Sequence, residues 1–136
     1  MTIKLIDVVE QTIYDRDRVA CAYLSVDGVI YHFDGQPIGY VYRLAVWTFL
    51  GRRVGWFHDG WLRSESGYCV GCTKFARSPP KAGTPPIIRD PPKAPKRTLP
   101  TKLARRHAPD VPLVKRGWSR TPLKVFLSWV QHQAGE

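Results

Sequence analysis

The sequence predicts an all-β fold: four β-hairpin repeats about a pseudo-fourfold axis, then a Pro-rich basic linker and a short C-terminal helix. Three observations carry this expectation. Apolar residues and glycines recur with start-to-start spacings of 17, 16 and 16 residues through the first part of the chain. Eight of the eleven glycines lie between Gly28 and Gly71, whereas ten of the twelve prolines lie between Pro79 and Pro112. Charge divides at the same place: residues 1–77 hold nine Lys or Arg against eight Asp or Glu, and residues 78–136 hold twelve against three. The net charge of +10 is therefore +1 in front and +9 behind. The boundaries that follow are a hairpin domain over 1–77, a basic linker over 78–117 without structure of its own, and an amphipathic segment over 118–136.

Each repeat reads as one hairpin. Ile13, Ile30, Val46 and Leu62 mark position zero, and Gly35, Gly51 and Gly67 stand at plus five, with Arg18 in the first copy. Glycine there lets the chain turn with positive φ. The returning strand carries Cys21, Ile38, Val54 and Val70 at plus eight, then Ala22, Gly39, Gly55 and Gly71, then Tyr23, Tyr40, Trp56 and Cys72. Strict alternation puts plus eight and plus ten on one face and the small plus-nine residue on the other, packed under the aromatic at plus one (Tyr14, Tyr31, Trp47). Asp27-Gly28 and Asp59-Gly60 mark connections between units. One such hairpin is unstable alone, and four about an axis can bury one another's apolar faces.

Residues Ser78–Pro112 have no apolar period, and their prolines remove amide donors and favour extended backbone, hence the linker. Beyond it, Thr121-Pro122 reads as a helix start. Leu123, Phe126, Leu127, Trp129 and Val130 form its apolar face, and Trp118 reads as an anchor before it.

The recurrent Asp-Gly-x-x-[Ile/Val]-Gly-[Tyr/Trp] pattern resembles the bacterial four-fold beta-flower domain. It stands here as Asp34-Gly35-Gln36-Pro37-Ile38-Gly39-Tyr40, with the related runs Gly51–Trp56 and Gly67–Cys72. The proline- and base-rich stretch and Gly117-Trp118-Ser119 are similar to that family's C-terminal part. The resemblance covers residues 12–75 and implies four petals about an axis. It implies no activity and no catalytic residues.

Chemical motifs are sparse. Cys69-x-x-Cys72, with Cys21 and His32 or His58, has the ligand types of a zinc site, but a second closely spaced ligand pair is missing. Buried cysteine also behaves as a small hydrophobe, so neither a metal nor another cofactor is expected. His58-Asp59 resembles an acid–base pair, yet strand neighbours point to opposite faces and Asp59-Gly60 reads as turn chemistry. No nucleophile-elbow, metalloprotease or phosphate-loop pattern is present, and no enzymatic activity is expected.

Two sets of residues are candidate binding sites. Tyr31, Tyr40, Trp47 and Trp56 line either a shared basin or a filled core, and Trp61 and Tyr68 read as exposed contacts. In the basic part, Lys93, Lys96, Arg97, Lys102, Arg105, Arg106, Lys115 and Arg116 are free to neutralise an anionic partner. The first expectation is a non-enzymatic module that binds a protein partner. Nucleic-acid binding through the basic tail is the alternative, followed by a small metal-binding or enzymatic domain. No aromatic residue lies between Ser78 and Gly117, so base stacking by the tail is not expected. Exposed strand edges admit a homo-oligomer. Three cysteines, an N-terminus unlike a secretory signal and the absence of any long apolar run point to a cytoplasmic protein without a membrane span.

Overall fold

A computed structural model describes residues 10–76, 90–106 and 112–132. Eight short strands run up and down in chain order: β1 (Gln11–Tyr14), β2 (Ala20–Leu24), β3 (Val29–Tyr31), β4 (Pro37–Tyr42), β5 (Ala45–Trp47), β6 (Arg53–His58), β7 (Trp61–Ser64) and β8 (Cys69–Cys72). Every neighbouring pair is antiparallel, and β1 pairs with β8 through Tyr14 and Cys72. The sheet thus closes into an eight-stranded barrel, which removes the strand edges a homo-oligomer would have used. One helix among the described residues, α1 (Leu123–His132), follows.

The fourfold repeat is visible in the hydrogen bonds. Each hairpin turn closes with an amide to a carbonyl three residues earlier: Arg18 to Asp15, Gly35 to His32, Gly51 to Thr48 and Gly67 to Ser64. All four plus-five residues have positive φ, including Arg18 at 68°. A non-glycine residue in the left-handed region fixes the register of the degenerate first copy.

The strand alternation differs from expectation in one recurrent way. Position zero pairs with plus nine in each hairpin (Ile13 with Ala22, Ile30 with Gly39, Val46 with Gly55, Leu62 with Gly71), and the register slips immediately afterwards. The plus-eight residue is therefore the extra residue of a β-bulge, and a bulge directs two consecutive residues against one partner. Cys21, Ile38, Val54 and Val70 accordingly join position zero in one apolar core, while Tyr23, Tyr40, Trp56 and Cys72 lie in separate clusters on the other face. Plus eight and plus ten do not share a face.

The small plus-nine residues lie beneath the helix and not beneath the plus-one aromatics. A Cβ at Gly39 would meet Val130 Cγ1 and the Trp47 carbonyl at 2.7 Å, one at Gly55 would meet Phe126, and one at Gly71 would meet Leu123. Leu123, Phe126, Leu127 and Val130 are buried in the same core as the four position-zero residues. Trp129, expected on that apolar face, lies on its flank and is 45% exposed. Trp118 anchors the approach to the helix: its ring meets Trp61 edge-on at 5.6 Å, and its backbone bridges to Cys69.

Candidate functional site: an aromatic wall under a cationic strap

The stretch read as a linker has neither strand nor helix in its described parts, yet its backbone is bonded to the barrel turn by turn. The Phe33 and Gly35 carbonyls accept from the amides of Ala94 and Arg97, and those of Phe49 and Gly51 accept from Leu103 and Arg106. At the fourth hairpin, Gly67 accepts from Lys115. The strap residues bonded to Gly35, Gly51 and Gly67 are thus 97, 106 and 115, so nine residues of extended strap span sixteen residues of folded hairpin. The turn glycines acquire a second role here. A Cβ at Gly35 would fall on the Pro95 carbonyl oxygen, and one at Gly51 on that of Ala104.

The same nine-residue period sets the side chains. Lys93 stands over Tyr23 at 5.1 Å and Lys102 over Tyr40 at 4.4 Å, both at plus ten. Lys96 stands over Tyr31 at 5.2 Å and Arg105 over Trp47 at 5.9 Å, both at plus one. Arg105 also lies 3.7 Å over Tyr42. An ammonium or guanidinium over a ring face is held by the ring quadrupole and needs no carboxylate. Few acids take part: Glu10 pairs with Lys93 at 2.9 Å, and Lys96 donates to the Ser25 hydroxyl.

In the fourth hairpin the polarity reverses. Val114 stands nine residues after Arg105, where a third such cation would fall, and cations come from the barrel. Arg53 stacks 4.4 Å over Trp56, and Arg63 replaces the plus-one aromatic. Arg63 is 1% exposed and donates through one terminal nitrogen to the carbonyls of Gly67 and Lys115, both at 2.8 Å. It clips the strap from the inside.

The two candidate sets are therefore each other's partners. Tyr31, Tyr40, Trp47, Trp56 and Trp61 are all buried, at 0–4% exposure, and form a wall and not an open basin. Trp61 is not an exposed contact: it lies in a small core with Cys69, Cys72 and Trp118. Tyr68 is exposed, with Lys115 5.6 Å from its ring. Arg97, Arg105, Arg106, Lys115 and Arg116 are all exposed; Arg105 nevertheless lies over Tyr42 and Trp47, and Arg97 donates to the Gln36 side-chain oxygen at 3.3 Å. Sequence reading placed Lys93, Lys96 and Lys102 among the free cations and not on the barrel's rings, and it missed Tyr23, Tyr42, Arg53 and Arg63 as contact residues. The available signal was the match of Lys93-x-x-Lys96-Arg97 to Lys102-x-x-Arg105-Arg106, nine residues apart.

The cysteines and histidines offer little chemistry. Burial pushes the Cys21 and Cys72 thiols up to about 11, and raises that of Cys69 as well, which keeps all three protonated at neutral pH. Among the described residues no group of three or more His, Cys, Asp or Glu could hold a metal ion. His58 and Asp59, expected to diverge, lie 3.6 Å apart because Asp59 leaves the strand with φ 53° and folds back in the turn. On the helix side, α1 crosses the fourfold face off-centre. Ile38 is fully covered, Cys21 and Val54 are partly exposed, and clefts of about 540 Å³ and 330 Å³ open beside Val54 and Val70.

A closed antiparallel barrel of four like hairpins, capped by a helix on one face and strapped on the other, defines a small β-repeat module. The family model described as the 4-fold beta flower protein matches residues 11–127, and the chain belongs to that family. No curated protein and no solved structure matches it. Among the described residues, no helix is long and apolar enough to cross a membrane.

Proposed function

We propose that the chain is a non-catalytic interaction module that binds the acidic face of a protein partner through the outer side of its strap. The observation that carries this reading is the placement of exposed cations. The Arg97 and Arg106 amides are bonded to successive turn glycines, so their side chains start from a fixed backbone, and Arg116 follows at the fourth turn. Cations held on a rigid frame lose less entropy on binding than the same charges on a free tail. The three free cysteines agree with a reducing, cytoplasmic setting.

Nucleic acid is the second reading, favoured by the +9 charge of residues 78–136. The aromatic faces of the barrel already carry cations, so such binding rests on phosphate contacts alone. The test is anisotropy titration of a labelled Glu/Asp-rich peptide and of single- and double-stranded DNA and RNA, at about 50 and 200 mM salt. The triple variant Arg97→Glu, Arg106→Glu, Arg116→Glu is titrated beside the wild type. Acidic-peptide binding abolished in the variant is the expected result. Binding of nucleic acid alone moves the second reading to first place, and binding of neither at low salt removes both.

A further inference from the structure

The aromatic wall beneath the strap is a binding site in its own right. Four cations rest on it at two repeated stations, one formed by Tyr23 and Tyr31 and the next by Tyr40 and Trp47. Each station takes a cation at the first position and another at the fourth of a nine-residue segment. The backbone of that segment bonds to the carbonyls of one hairpin turn. The hairpin half has a net charge of only +1, so a general negative field does not hold these cations. Ring faces hold them, helped by Glu10 at Lys93 and the Ser25 hydroxyl at Lys96, while the turn carbonyls hold the backbone that carries them.

Such an arrangement discriminates by spacing. Adjacent plus-ten and plus-one rings set the interval within a station, and the sixteen-residue hairpin sets the interval between stations. The resident segment forms no strand with the barrel, and residues 95–106 are exposed along their length. Nothing described lies over it.

We infer that the outer wall is a receptor for extended peptide segments carrying Lys or Arg three residues apart in a nine-residue period. The chain's own strap is its resident ligand, and a basic segment of a partner protein is the occupant it exchanges for. This site lies on the inner side of the strap and does not depend on the acidic-partner reading, which uses the outer side. Because the strap is tethered, a competing segment faces a high local concentration and gains access only where it binds several stations or the strap is weakened.

The test uses the full chain with its stations emptied: Lys93→Ser, Lys96→Ser, Lys102→Ser and Arg105→Ser together, with folding checked by near-ultraviolet circular dichroism. A labelled synthetic peptide of residues 90–106 is titrated against it by anisotropy. A second peptide has the same composition but its second cation pair moved by two residues. The in-phase peptide is expected to bind the variant at least about tenfold more tightly than it binds the wild type, and about tenfold more tightly than the shifted peptide does. Equal affinity for the two peptides overturns the inference, as does no binding to a folded variant. Should the fourfold variant not fold, the wild type is photo-crosslinked with peptides bearing a benzophenone in place of Lys102. Crosslinks to residues 40–47 support the site, and crosslinks scattered elsewhere overturn it. A wild-type mass by light scattering of twice the chain assigns the stations to a second copy and overturns the partner-segment inference.

Discussion

The barrel is covered on both faces by sequence that follows it, and the two covers work by different physics. On one face α1 inserts four apolar side chains among those of all four hairpins, and the plus-nine residues are Ala or Gly so that the helix can approach. On the other face no described strap residue joins the buried aromatic cluster. The strap lays its backbone on the turns and its cations on aromatic rings, and its outer side stays in water. Apolar interdigitation depends on shape, and a single added methyl is felt. Cation–ring contacts at a wet surface are individually weak, about 0.5–1 kcal/mol, and tolerate displacement. The helix side is therefore held by shape, and the strap side by backbone hydrogen bonds and many small cation–ring contacts.

The largest effect is expected at Gly39, under the helix. Its missing Cβ leaves 2.7 Å to both Val130 and the Trp47 carbonyl, and one of these is backbone that cannot step aside. Gly39→Val is expected to cost about 3 kcal/mol, as overpacking against backbone does. Urea denaturation measures the loss, and hydrogen exchange is expected to show α1 amides opening first. A loss below about 1 kcal/mol would mean that the helix does not need its close approach. On the strap side, Lys102→Gln with Arg105→Gln removes the charges from one station and keeps polar, flexible side chains there. About 1 kcal/mol is expected, with faster tryptic cleavage confined to the strap and unchanged protection of α1. Equal loosening of both covers would show that they are one cooperative unit.

The sequence made much of the barrel legible and little of the site. Period, turn position and strand pairing follow from glycines at plus five and apolar residues at position zero, since these chemistries admit few backbones. The bulge was hidden because its extra residue is itself apolar. Ile38 or Val54 inside a strand looks the same whether the ladder slips beside it or not. The helix face was right in four of five positions, and Trp129 fell outside it because α1 leaves the Val54 quadrant open. The strap was read as free because prolines and lysines lack the apolar period by which packed segments are recognised. Its partners are ring faces and turn carbonyls, which any tyrosine or glycine possesses, so pairing appears only when Tyr40 and Lys102 meet in space. Arg63 was missed for a related reason. A buried arginine whose acceptors are carbonyls of Gly67 and Lys115, 52 residues apart from its own position in the latter case, has no partner residue type to search for.

The smallest effect is expected at the first turn, where the comparison can be sharpened between hairpins. Gly35 and Gly51 combine positive φ with a strap carbonyl occupying the place of a Cβ, so either property alone would select glycine. Arg18 has the same φ region, at 68°, and does carry a Cβ. Among the described residues no strap amide bonds to the first turn, so Arg18 tests the cost of backbone conformation. Arg18→Gly relieves left-handed strain of about 1 kcal/mol but adds freedom to the unfolded chain, leaving a net gain of about 0.5 kcal/mol. Gly51→Ala, by contrast, is expected to lose stability and to release the strap to trypsin, because the added methyl lands on the Ala104 carbonyl. If Gly51→Ala destabilises the chain while strap cleavage stays at the wild-type rate, the turn glycines serve the hairpin alone. The strap then rests on its side-chain stations and not on the turns.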